Sequence, residues 1–248
     1  MSASWTQDER LSARAAVHAA LGEKARLAIV EDLATSDRSP KELADRLAIP
    51  SNLLAHHLEV LEHVGLIARS ASAGDGRRKY VRLVRSAATG FELMGRAPGG
   101  EMLFLCSHNS ARSQLAAALW TARTGRRASS AGTRPANRVH RGAVAAARRA
   151  GLSLVDATPR SIEEIPMTAQ VVTVCDLAHE ELEPGAGWWH WSIPDPVQSG
   201  RAAAFDAVVA ELGTRIASVA AHLGDINENV NENDYRNDEN DNEQGRRR

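Results

Sequence analysis

Met102-Leu-Phe-Leu-Cys106-Ser-His-Asn-Ser-Ala-Arg112-Ser113-Gln114 decides how the second half of this chain folds. The apolar run before Cys106 reads as a buried strand. Leu115, Ala116, Ala118 and Leu119 then carry the spacing of an amphipathic helix. Between strand and helix lie five small or polar residues, Ser107, His108, Asn109, Ser110 and Ala111, followed by Arg112 and Ser113. A loop of this kind turns its backbone N–H groups inward as an anion-binding nest. The helix that follows adds its positive N-terminal end at the same point. Such surroundings favour a cysteine thiolate, the nucleophilic form. Arg112 offers a planar fork for two oxyanion oxygens, and Ser113 is placed to donate its hydroxyl to the sulfur. The spacing therefore suits holding a tetrahedral oxyanion against Cys106. The bland alternative is a strand-end cysteine beside a surface arginine.

Working outward, 248 residues are enough for two domains. The formal net charge of -1 excludes a broadly basic chain, so any nucleic-acid contact comes from a local patch. No run of eighteen apolar residues occurs, which predicts no membrane span. The N-terminus lacks a basic-then-apolar leader, and the expected location is the cytoplasm. Two cysteines, Cys106 and Cys175, fit a reducing compartment and a redox or catalytic role.

Residues 1–95 read as helices closing on a short hairpin, and Gly-rich residues 96–100 as a linker. Residues 101–224 alternate strand and helix. Strands are predicted at 101–106, 127–131, 170–175 and 188–192, and helices near 112–124, 138–150, 177–183 and 201–223. This alternation gives an α/β domain with a parallel sheet. Its ligands bind beyond the C-terminal strand ends, where Cys106, Cys175 and Asp195 fall. The Asn-, Asp- and Glu-rich tail 225–248 is expected to be disordered. Pro194 and Pro196 flank Asp195 and stiffen its loop, which suits a general acid; an ordinary turn aspartate is the alternative.

Leu103–Gln114, Ser129-Ser-Ala-Gly-Thr133, Val139-His140 with Ala143-Val144, Val171–Cys175 and Asp195-Pro196 together resemble the low-molecular-weight tyrosine phosphatase fold, and within it the arsenate reductase branch. The resemblance covers about half the chain. It implies a four-stranded parallel sheet, Cys106 as nucleophile, Arg112 and the loop amides as oxyanion binders, and Asp195 as acid. It further implies that Asn109 braces the loop and Ser113 stabilises the thiolate. Phosphatases of this family wall the pocket with aromatic rings. Here Arg134-Pro-Ala-Asn-Arg138 and Val197 occupy those stretches, which favours a compact inorganic oxyanion, arsenate, over an aryl phosphate. Cys175 is similar in position to the second cysteine of thioredoxin-linked arsenate reductases, but their third has no counterpart, since Leu182 stands there. Either a Cys106–Cys175 disulfide forms and is reduced directly, or an external low-molecular-weight thiol attacks the Cys106 adduct; the electrons are expected from a thioredoxin, glutaredoxin or mycothiol system, and a buried strand cysteine is the bland alternative for Cys175. No tightly bound cofactor or metal is expected. The family's potassium-site glutamate is replaced by Ala117 or Ala118.

In the first half, Lys24–Leu33 has an apolar face of Leu27, Val30 and Leu33. Ser39-Pro40 opens a second helix, and Ser51, read as an N-cap, opens a third. Two short helices about a tight break make a helix-turn-helix. Gly65–Arg69 and Tyr80–Val84 alternate as strands around the basic loop Ala73–Lys79, a wing. Residues 14–85 resemble the winged-helix arsenic-repressor family. That implies a homodimer formed through this domain on operator DNA. Ser51, Asn52, Leu53 and His56 face the groove, and Arg77, Arg78 and Lys79 suit phosphates. A dimerisation module without DNA binding is the alternative. Residues 1–100 contain no cysteine, so arsenite sensing through thiolates is not expected there. His18, His56, His57 and His63 are read as surface or core residues in preference to metal ligands.

The resulting expectation is a mainly α winged-helix domain fused to an arsenate-reductase-like enzyme. Its rivals are a phosphatase acting on phosphotyrosine or a small phosphate ester, and a non-catalytic regulator that senses oxyanion or oxidation.

Overall fold

The computed structural model describes residues 6–91, 93, 100–162, 165, 166, 168–182, 184, 185, 187–221 and 223. Most of the expected linker and the whole of the expected disordered tail lie outside them. The N-terminal half runs α1 (Gln7–Leu21), α2 (Lys24–Thr35), α3 (Pro40–Leu47), α4 (Ser51–His63), β1 (Ile67–Ala71) and β2 (Lys79–Leu83). A capping box starts α3: Ser39 Oγ accepts from Glu42 N–H, and the Glu42 carboxylate accepts from Ser39 N–H at 2.6 Å. Ala48 ends α3 in the left-handed region, and the chain turns at once into α4. Pro50, held extended, is the N-cap of α4. Ser51 therefore sits inside the first turn and is not the cap that its residue type predicts. The core joins Ile29, Val30, Leu33, Leu43, Leu58 and Leu61. Leu27 is 38% exposed, so the buried stripe of α2 is Ile29, Val30 and Leu33. β1 and β2 pair antiparallel from Ile67↔Leu83 to Ala71↔Lys79, with the wing between them.

The C-terminal half runs β3 (Met102–Cys106), α5 (Arg112–Thr124), β4 (Ala128–Gly132), α6 (Arg141–Arg149), β5 (Gln170–Thr173), α7 (Asp176–Glu181), β6 (Trp189–His190), α8 (Pro196–Ser199) and α9 (Ala202–Ala221). Its four strands are parallel in the order β4-β3-β5-β6. Phe104, Leu115, Trp120, Trp191, Leu212 and Ile216 fill the larger core. Leu103, Leu105, Ala131 and Val171 form a smaller one. Among the described residues, no helix is long and apolar enough to cross a membrane. Two strands are shorter than the sequence predicts. β5 stops at Thr173 because Cys175 leaves the ladder to cap α7, its Sγ accepting from Ala178 N–H at 3.4 Å. β6 keeps only Trp189 and His190; Trp191 N–H still donates to Thr173 O at 2.8 Å, and at Ser192 the backbone turns to Asp37 of the other half.

The two halves are docked through polar contacts that the sequence does not foretell. Glu180 accepts from Ser72 Oγ at 2.7 Å, Asp75 N–H at 2.8 Å and Tyr80 OH at 3.1 Å. Asp176 accepts from Ala73 N–H at 2.7 Å, so α7 holds one side of the wing. Arg38 donates to Trp188 O at 3.3 Å. Arg215 of α9 pairs with Asp37 at 2.9 Å, both side chains being 0% exposed. Burial works to raise the Glu42 pKa, but hydrogen bonds from His179 and Ser39 outweigh it and hold the carboxyl at about 2.

Candidate active site

Cys106 closes β3, and the loop after it returns the chain to Arg112 at the start of α5. Ala111 occupies the N-cap and supplies no side-chain cap. The first amides of α5 are thereby left to the mouth of the loop, as an anion site requires. Asn109 takes a φ of 46°, a left-handed conformation that asparagine tolerates. That bend brings its N–H to 3.2 Å from the Cys106 sulfur. Ser113 Oγ lies 3.0 Å from the same sulfur. This hydroxyl already accepts from Asn109 Nδ2 at 2.8 Å, which leaves its own hydrogen for the sulfur.

The Asn109 carboxamide is saturated. It also donates to Ser130 Oγ at 2.9 Å, and its oxygen accepts from Gln114 Nε2 at 3.0 Å and Arg160 N–H at 2.9 Å. Ser107, Asn109 and Ser113 are buried braces, whereas Cys106, His108, Ser110, Ala111 and Arg112 line an open cleft of about 1010 Å³. Only the latter group of predicted oxyanion-loop residues reaches the cavity.

Arg112 is buried and reaches across to the Asp195 loop. It donates through Nη1 to Ile193 O at 3.0 Å, and Nη2 lies 3.1 Å from Asp195 Oδ2. The other Asp195 oxygen caps α8 by accepting from Val197 N–H at 3.0 Å. Cys106, Arg112 and Asp195 thus meet at one cleft, as the sequence predicts. Cys175 is buried and does not line the cleft. The register Leu105↔Thr173 sets Cys106 beside Val174, one residue from Cys175. Cys175 Sγ lies 3.4 Å from Ser107 Oγ. Burial pushes the Cys175 thiol up, which Arg112 offsets in part and Cys106 reinforces.

Sequence reading misses Gln114, Ser130 and Arg160 because each acts on Asn109 from a separate segment. Ala136, Arg138 and Val197, from the two stretches read as pocket wall, do line the cleft, but the wall that α6 supplies is missed. Arg141, Val144, Ala145 and Arg148 line the cleft from one face of α6. Their i, i+3, i+4, i+7 spacing is a legible signal. Gly132 is a further find. A Cβ there would stand 2.8 Å from Ser107 O and 2.9 Å from Asn109 N. Gly132→Ala should therefore displace the loop, weakening oxyanion binding at least about tenfold while the chain stays folded. Phosphate titration followed by calorimetry, beside circular dichroism, checks this.

In the other half, Ser51, Asn52, Leu53 and His56 of α4 are exposed, while Leu54, His57, Leu58 and Leu61 face the core. Arg77, Arg78 and Lys79 are exposed and line a second cleft with Lys41 and the start of α3. His18 packs its ring on Phe91.

The parallel sheet, the cysteine at a strand end and the loop running from it into a helix define a class of α/β proteins with a thiol at the mouth of a cleft. The chain belongs to the low molecular weight phosphotyrosine protein phosphatase family, whose model matches residues 101–231. A helix-turn-helix domain model matches residues 21–69. Among solved structures, an arsenate reductase from Archaeoglobus fulgidus is 28% identical, over 48% of this chain and 98% of that one, with a TM-score of 0.42. A thioredoxin-dependent arsenate reductase from Corynebacterium glutamicum is 26% identical, over 51% and 63%, with a TM-score of 0.41. A tyrosine phosphatase from Erwinia amylovora is 18% identical, over 53% and 97%, with a TM-score of 0.42. No curated protein matches the chain.

Proposed function

We propose that this chain is a thiol-dependent arsenate reductase fused to a winged-helix DNA-binding regulator. The observation that carries the enzymatic reading is a second thiol, Cys175, set against the loop of the first, with Ser107 between them. Hydrolysis of a phosphate ester needs one sulfur; reduction of an oxyanion to the trivalent state uses two. Among the described residues, no Phe, Tyr or Trp lines the cleft to stack on an aryl group.

In this reading arsenate sits on the loop amides and the Arg112 fork. The Cys106 thiolate attacks arsenic, an S–As bond forms, and an oxygen leaves as water with a proton from Asp195. The Cys175 thiolate then attacks the Cys106 sulfur. An S–S bond forms, the S–As bond breaks, and its electron pair stays on arsenic, which leaves as arsenite. Two thiols have given two electrons and one disulfide. A redoxin or low-molecular-weight thiol reduces that disulfide. Because burial raises the Cys175 pKa, its thiolate is scarce at neutral pH, and the second step should quicken as pH rises through the thiol range.

The test is arsenite formation from arsenate, with thioredoxin, glutathione with glutaredoxin, and mycothiol with its redoxin supplied one at a time. Wild type should turn over with one of them. Cys175→Ser should lose turnover with the redoxins, at least about 100-fold, and lose the rise with pH. Undiminished turnover in Cys175→Ser would move the second attack to an external thiol. A second reading, phosphomonoester hydrolysis, draws on the cleft volume of about 1010 Å³, far more than an inorganic oxyanion fills. Release of phosphate from an aryl phosphate, without arsenite formation, would establish it.

For the N-terminal half, the reading is operator binding by a homodimer, with the exposed face of α4 in the major groove and the wing on phosphates. Replacing Arg77, Arg78 and Lys79 together by Ala should weaken binding about equally on all sequences. It should also flatten the salt dependence by about one unit of slope for each phosphate left without its cation. Binding titrations at several salt concentrations measure both.

A further inference from the structure

The segment that carries Asp195 is held by the DNA-binding half. Asp37 N–H donates to His190 O at 2.7 Å, and Ser36 Oγ accepts from His190 N–H at 2.8 Å. The Trp191 indole N–H donates to Thr35 O at 2.8 Å. Asp37 Oδ2 accepts from Ser192 N–H at 2.8 Å, while Asp37 Oδ1 takes Arg215 at 2.9 Å. Beyond Ser192 the next tie is Arg112 on Ile193 O, at 3.0 Å. Pro194 has no N–H to offer. Trp191 N–H is tied within its own half, to Thr173 O at 2.8 Å; past it, over 192–194, the backbone bonds among the described residues are one to Asp37 and one to Arg112. Arg112 belongs to the oxyanion loop itself and must also meet the substrate. Asp37 has no such second duty. It is wholly buried, its charge is matched by Arg215, and its free oxygen is fixed on Ser192.

We propose that Asp37, a residue of the helix-turn-helix half, is a positioning residue for the active site: it fixes the height of the 192–195 loop and so the distance of Asp195 from the oxygen that must leave. The proposal rests on the reading of Asp195 as general acid. General acids act only within hydrogen-bond reach, and a shift of about 1 Å costs on the order of 100-fold. It follows that the fused half is part of the catalytic frame, beyond being a passenger on it.

Removing Asp37 alone leaves Arg215 buried without its partner, so the test replaces both. Asp37→Ala with Arg215→Met removes the ion pair and the Ser192 acceptor. Asp37→Asn with Arg215→Met removes the ion pair but restores an oxygen for Ser192 N–H. Asp195→Asn is the reference. Two readouts apply to the full chain: amide exchange of residues 191–195, and kcat and KM on phenyl phosphate and dinitrophenyl phosphate. The second leaving group needs no proton; the first does. The alanine pair should speed exchange in 191–195 and lower kcat on phenyl phosphate about 10- to 100-fold, with KM and the dinitrophenyl rate near wild type. The asparagine pair should recover both. Asp195→Asn should show the same leaving-group pattern. If Asp195→Asn shows it and the alanine pair matches wild type in exchange and rate, Asp37 does not position the loop. If the alanine and asparagine pairs fail equally, the ion pair and not the Ser192 bond matters, and the proposal is overturned. If Asp195→Asn shows no leaving-group dependence, Asp195 is not the acid, and that reading falls separately.

Discussion

Cys106→Ser should abolish arsenite formation, a loss on the order of 10⁶-fold, while the folded chain still binds phosphate. The two parts of this expectation have different causes. A serine hydroxyl is a poor nucleophile, and no oxygen ester with arsenic leads on to a disulfide. In the proposed reaction, the two electrons that reduce arsenate then have no route from protein to substrate. Oxyanion binding depends on other atoms. The loop bend comes from Asn109, whose carboxamide is satisfied by Ser113, Ser130, Gln114 and Arg160 without help from the sulfur. Arg112 is fixed by Ile193 O and Asp195. Stopped assays for arsenite, beside calorimetric titration with phosphate, separate the two. A variant that keeps turnover would remove Cys106 as the nucleophile. A variant that loses phosphate binding as well would show that the sulfur shapes the loop.

Arg215→Ala should be the most destabilising single exchange of a charged side chain, by roughly 3–5 kcal/mol. Burial alone would lower the Arg215 pKa, but Asp37 and Glu211 outweigh it and hold the guanidinium charged. Deleting that charge leaves the Asp37 carboxylate buried without its partner. Asp37→Ala should cost a similar amount for the mirror reason. Replacing both together by apolar residues should cost far less than the sum, because neither charge is then stranded. Urea titration of the two single variants and the pair measures this coupling. Both halves should unfold in one transition in wild type, since Asp37 belongs to one and Arg215 to the other.

How much of this is legible depends on how local each signal is. The anion loop, its cysteine and arginine, and the strand and helix on either side are contiguous, so sequence spacing carries them whole. Asp195 stands out because its flanking prolines mark a rigid loop. Strand ends are less secure. Val174 and Cys175 are as apolar as the residues before them, and nothing local says that Cys175 turns away to cap a helix. Ser51 looks like a cap because its side chain suits one; Pro50 takes the position because its φ is already fixed. The docking of the halves is invisible for a different reason. Asp37 lies in Thr35-Ser36-Asp37-Arg38-Ser39, which reads as an ordinary polar turn between helices. Arg215 does leave a trace. In α9 it falls on the buried stripe of Val208, Leu212 and Val219, and a charge on an apolar stripe implies a buried partner.

The bond between Asp37 and Arg215 joins positions 178 residues apart. During synthesis the N-terminal half leaves the ribosome first and assembles its own core from Ile29 to Leu61. Its carboxylate at position 37 then stays in water until α9, the last described helix, has emerged. The loop that carries Asp195 reaches its seat only at that moment. Closure of so long a loop is slow, so in refolding the helices of the first half should appear early, and activity should return late, with the docking step.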